Sequence, residues 1–158
     1  MKLLKLFVLL GTALLFSGCA STDNAAENTV KTPEIGVISG SEQLAATAAG
    51  KLIGNKVLEA LSKNDYTLLN GLAIGNEGSQ FTVERFNKLM EKVQGQGGIS
   101  QYSYLGDLSM YPYHRMLWKV TFKNLEKSEV KAAMDVLFEL HIAKVGDSYR
   151  AVGFGFRQ

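Results

Sequence analysis

His114-Arg115-Met116-Leu117-Trp118-Lys119-Val120-Thr121-Phe122 decides the fold. His114, Met116, Trp118, Val120 and Phe122 point one way, and the residues between them point the other. Period-two alternation of this kind is a strand with one dry face and one wet face. The dry face holds the only tryptophan of the chain. Burying each large apolar side chain is worth roughly 1.5–3 kcal/mol, so something must pack over this strand.

Working outward, the C-terminal side continues the alternation. Met134, Val136, Phe138, Leu140 and Ile142 are expected on a dry face, with Asp135, Leu137, Glu139 and His141 opposite. Gly146-Asp147 is a two-residue hairpin signal. Val152, Phe154 and Phe156 are expected on the dry face of the last strand. On the N-terminal side, Tyr102, Tyr104, Leu108 and Met110 are expected on one face of a strand that turns at Tyr111-Pro112.

Before the strands the period is helical. Ser39 and Glu42 have capping-box spacing. Leu44, Ala48, Leu52, Leu58 and Leu61 predict one long helix over 42–61. Ala46, Gly50 and Gly54 lie four apart on one face of it. Inside a membrane such a stripe marks helix–helix contact; in a water-soluble domain it means a helix lying close on a sheet. Ser62 to Asp65 opens a short helix through Tyr66, Leu68 and Leu69. Gly71, Gly75 and Gly78 mark a loop that lacks phosphate-loop spacing. Thr82 caps a third helix with the stripe Phe86, Leu89, Met90 and Val93, ended by Gly95, Gly97 and Gly98. Helices first and then four strands in a meander make an α+β domain, with N-terminal helices packed on one side of a four-stranded antiparallel sheet.

The N-terminus is a targeting segment. Lys2 and Lys5 precede an apolar run from Leu6 to Phe16, closed by Ser17-Gly18-Cys19. That is a signal peptide over 1–18, and the run is too short to span a bilayer, which needs about 20 apolar residues. Its ending resembles a bacterial lipobox, with Phe16 where Leu is usual, so Cys19 is expected to carry lipid. Ala20 after the cysteine, rather than Asp, resembles outer-membrane sorting in Gram-negative cells, with the domain facing the periplasm. Cys19 is the only cysteine, so an intramolecular disulfide is excluded. Removing Lys2 and Lys5 lowers the 17 basic residues by two, to face 15 acidic ones. A near-neutral mature chain gives no support to nucleic-acid binding. Residues 19–41 read as a flexible tether, about 25 Å in reach, with Glu34 to Ile38 assigned to it rather than to a strand. The folded domain is placed at 42–158.

The element order, together with Ala60-Leu61-Ser62-Lys63-Asn64-Asp65-Tyr66-Thr67-Leu68 after the long helix, resembles the NTF2-like, cone-shaped α+β superfamily. The resemblance covers roughly residues 42–158. It implies a curved sheet closed by helices around a pocket. It implies no activity, because members include isomerases, dehydratases, transport factors and binding modules. Sheets of this superfamily often pair back to back, which points to Leu117 and Leu137 on the outer face as a homodimer surface.

The candidate chemistry is sparse. Tyr102, Tyr104, Met116 and Trp118 would line a pocket with His114 at its mouth. His114 could be a general acid or base, or a histidine at a strand end with its polar tip wet; the second is preferred. Asp107 falls on the opposite face from the tyrosines unless a bulge at Gly106 re-aims it. Asp135, Glu139 and His141 resemble a metal cluster only in list form; cross-strand charge pairs with Lys119 or Arg115 are the ordinary reading. Neither metal nor cofactor is expected. Two functions follow. One is a non-catalytic, lipid-anchored envelope module binding an apolar ligand or a protein partner. The other is a small cofactor-free isomerase or dehydratase using His114.

Overall fold

The computed structural model describes residues 34–73, 81–123 and 134–157. The expected signal peptide, Cys19 and most of the expected tether lie outside the described residues, as do Gly75, Gly78 and the connection after Lys123. The elements are β1 (Ile35–Gly36), a 3-10 turn (Gly40–Glu42), α1 (Gln43–Lys63), a second 3-10 turn (Tyr66–Leu69), α2 (Val83–Gly95), β2 (Ile99–Met110), β3 (Tyr113–Phe122), β4 (Met134–Val145) and β5 (Ser148–Arg157).

The start of α1 follows from Ser39 and Glu42. The Glu42 carboxylate reaches back to accept from the Ser39 backbone N–H at 3.0 Å and from its hydroxyl at 2.8 Å. Asn64, in the left-handed region at φ 54°, ends the helix. Asp65 then caps the next turn by accepting from Thr67 N and Oγ1, at 3.0 and 2.6 Å. Thr82 caps α2 through Arg85 N at 3.3 Å, and Phe86, Met90 and Val93 bury its apolar stripe.

The sheet is an antiparallel meander, β2 to β5, with β1 laid beside the far end of β4. This is the expected fold class, with five strands rather than four. The fifth corrects the tether boundary: Ile35 pairs with Val145 and Gly36 with Lys144. A two-residue strand carries too little periodicity to be recognised by pattern. Trp118 sits at the centre of the sheet, paired with Tyr104 on one side and Phe138 on the other. It is 0% exposed.

Two bulges overturn the expected faces. The register of β2 against β3 slips between Tyr104 and Gly106. One extra residue inverts everything after it. Asp107 now pairs with Met116 on the dry side, and Leu108 and Met110 go to the outer side, exposed. A second slip, opposite His141 and Ile142, puts Ala151 rather than Val152 on the dry face with Phe154 and Phe156. The stripe of α1 is corrected too. Leu44 and Leu52 are 85% and 68% exposed, while Ala46, Gly50, Ile53, Gly54, Val57 and Leu61 are buried.

The reason lies in the glycines. A Cβ on Gly50 would fall 2.8 Å from the Met116 sulfur, and one on Gly54 would overlap the Trp118 ring atoms Cη2 and Cζ2. The helix turns its smallest residues to the sheet because only they allow its backbone to lie against these two side chains. Close burial of Met116 and Trp118 offsets a helix-propensity cost of up to about 1 kcal/mol per glycine.

Candidate functional site

The bulge in β2 creates the most connected polar cluster on the helix-facing side. Asp107 is the common acceptor. Tyr104 donates its hydroxyl to Oδ1. His114 Nε2 lies 2.6 Å from Oδ2, and Thr47 Oγ1 from α1 donates to the same oxygen at 3.0 Å. With Nε2–H given to Asp107, His114 Nδ1 faces Ser109 Oγ at 3.4 Å, and Ser109 in turn accepts from Gln43 Nε2. Gln43, Ser109, His114, Tyr104 and Thr47 thus form a chain of donors that ends on one carboxylate.

The electrostatics follow from that arrangement. Burial works to raise the Asp107 carboxyl, but the hydrogen bonds from Tyr104, His114 and Thr47 outweigh it and hold the group below the ordinary carboxylate value. Burial, then the hydrogen bond and charge of Asp107, push the Tyr104 phenol up. The Tyr104 ring also carries Lys51 Nζ 4.3 Å from its centroid, within cation–π range.

The expected pocket residues separate. Tyr104, Met116 and Trp118 are drawn together with His114 under α1. Tyr104 and Trp118 meet edge to face at 5.2 Å, and Trp118 Nε1 donates to Asn55 Oδ1 at 3.3 Å. Above Met116 and Trp118 the space is taken by the backbone of α1 at Gly50 and Gly54. Tyr102, opposite Val120, is exposed. The wet-histidine expectation is corrected: His114 is 1% exposed. Its polar tip needs no water because Asp107, re-aimed by the bulge, supplies the partner. Sequence pattern alone does not assign Asp107 and Ser109 as the partners of His114, nor Thr47 and Gln43 as the α1 residues that bond to those two; Gly106 is the signal for Asp107 alone.

On the outer face, the charges pair across strands as expected. Lys119 meets Asp135 at 3.2 Å, and Thr121 Oγ1 donates to Asp135 at 2.5 Å. Glu139 is buried between Arg157 at 3.2 Å and Arg115 at 3.8 Å. Arg115 Nε donates to His141 Nε2 at 3.1 Å. Burial first, then the Arg115 guanidinium, lower the His141 pKa; Glu139 opposes them and Arg157 adds to them. Among the described residues, His, Cys, Asp and Glu form no group of three placed to hold a metal ion.

No family model and no curated protein matches the chain. Among solved structures, the chain is similar to a designed NTF2 protein, at 13% identity and a TM-score of 0.44, over 75% of this chain and 100% of that one.

Proposed function

We propose that this protein is a non-catalytic binding module, held at the cell envelope by a lipid on Cys19 and facing the periplasm where an outer membrane exists. The observation that supports it is the fate of the Asp107 carboxylate. A general base needs a free lone pair directed at substrate and a pKa near the working pH. Asp107 has both oxygens engaged by the protein's own donors and a lowered pKa. His114, on which the isomerase alternative depends, is enclosed beneath α1. The cluster therefore ties β2 and β3 to α1 and leaves binding as the work of the surface. The edge strand β2 and its hairpin expose Leu105, Leu108, Met110 and Tyr111, an apolar row that suits a protein partner.

The test has two parts. Cys19→Ser should leave an unprocessed or soluble product; an unacylated mature N-terminus in the wild-type protein overturns the anchor. A photo-crosslinker at Leu108 and another at Met110 should capture the same envelope protein, identified by mass spectrometry, with none at the α2 position Glu91. Saturable turnover of a small carbonyl substrate, lost in His114→Ala with the fold intact, would reverse the reading in favour of the enzyme.

A further inference from the structure

A cavity outside the Asp107 cluster lies between α2 and β5. Its volume is about 230 Å³, and its apolar floor is Leu69, Phe81, Phe86 and Phe154. Phe81 and Phe154 meet edge to face at 4.8 Å, and Leu69, Phe81 and Phe86 are buried. The rim comes from α2: Arg85, Lys88, Leu89 and Lys92 all line the cavity. Their spacing of three, four and seven residues is what one helix face requires. Among the described residues no acidic side chain forms an ion pair with Arg85, Lys88 or Lys92.

We infer that this cavity binds a short apolar molecule bearing a single anionic group, with the hydrocarbon on the phenylalanine floor and the anion against Arg85, Lys88 and Lys92. The inference rests on the binding-module reading and gives it a ligand class. A concave apolar site with a few convergent polar groups is the usual form of a small-molecule site. Size limits the ligand. At roughly 30 Å³ per heavy atom, the share of one water in the liquid, the cavity takes about six to eight atoms. Charge sets the orientation, because three cations at one rim attract an anionic head and repel a cationic one. An uncharged chain of the same length gains only the floor.

The experiment is equilibrium dialysis of isotope-labelled hexanoate, hexanamide and hexylammonium against the full chain in nanodiscs, with empty nanodiscs as blank. Hexanoate should be retained saturably, and at least tenfold more tightly than hexanamide or hexylammonium. Raising the salt should weaken its retention. The exposed triple variant Arg85→Gln, Lys88→Gln, Lys92→Gln should lose at least tenfold in hexanoate affinity with an unchanged thermal transition. Leu89→Glu, which sets a like charge at the rim, should abolish retention. Lys119→Gln, a cation on the far face of the sheet, should change nothing. Equal retention of hexanoate and hexanamide, retention that survives the triple variant, or none above the blank each overturns the proposal. A soluble Cys19→Ser protein that still retains hexanoate keeps this site independent of the anchor's fate.

Discussion

Gly54 lies directly against the edge of the Trp118 six-membered ring, with no room for a single carbon between them. Gly54→Ala should therefore destabilise the domain. The overpacking penalty of roughly 1–3 kcal/mol exceeds the helix-propensity gain of up to about 1 kcal/mol. Gly95, at the end of α2, has open space around its Cβ position, so Gly95→Ala should be neutral or mildly stabilising. Chemical denaturation of both variants checks this, and the Gly54→Ala penalty should shrink in a Trp118→Leu background.

Trp118→Ala should cost roughly 3–5 kcal/mol, the usual cost of deleting a large buried aromatic. It also removes edge-to-face contacts with Tyr104 and Phe138. Lys119→Ala, one residue away on the outer face, should stay within about 0.5 kcal/mol, since its pair with Asp135 is solvent-exposed. Equal losses in urea titrations would show the strand to be inside out.

Asp107→Asn should cost about 1.5–3 kcal/mol at neutral pH, because three donors lose a charged acceptor. It should also change the pH profile. The folded-state pKa of Asp107 lies below its ordinary 3.8, so the unfolded chain binds its proton first as pH falls. The contribution is thus complete above about pH 4 and is lost as pH drops through the folded value. Unfolding free energies between pH 2 and 6 should fall less steeply in the variant. Glu42, held down to about 2 chiefly by Lys144 and then Ser39, retains its own acid limb in both proteins.

Glu139→Gln should destabilise by about 1.5–3 kcal/mol, since a buried charged acceptor of Arg157 is lost. It should also lower the His141 pKa further, because Glu139 is the one neighbour that raises it. A titration of the His141 ring protons by NMR reads the shift, and an upward movement would contradict the outer-face geometry.

Much of the fold was legible because its signals are local. The alternation around Trp118 and the caps at Ser39, Asp65 and Thr82 depend on neighbours within a few residues. The errors of face on β2 and β5 share one cause. A bulge adds a residue without any change in composition, so on β2 parity runs true from Gln101 to Tyr104 and inverts beyond it. That is why alternation alone places Leu108 and Met110 on the wrong face, and brings Asp107 to the side of Tyr104 only if a bulge at Gly106 re-aims it. Val152 failed in the same way on β5. In α1 the leucines gave a plausible stripe, but close approach at Gly50 and Gly54 outweighed it. That preference is set by Met116 and Trp118, more than sixty residues away. The cavity rim on α2 is helical in its spacing, but its floor is drawn from three separate segments, which no local pattern records.

The pairing of Ile35 and Gly36 with the end of β4 also fixes a mechanical load path. Tension applied from the N-terminal side enters the domain through a two-pair ladder on Lys144 and Val145, reinforced by the Glu42–Lys144 ion pair and by Tyr149 on the Glu42 carbonyl. β4 is clasped along its length by β3 and β5. The pull is therefore shared by the sheet before it reaches α1. The helix that covers Trp118 thus stands behind a sheet-borne clasp with respect to any pull that arrives through Ile35.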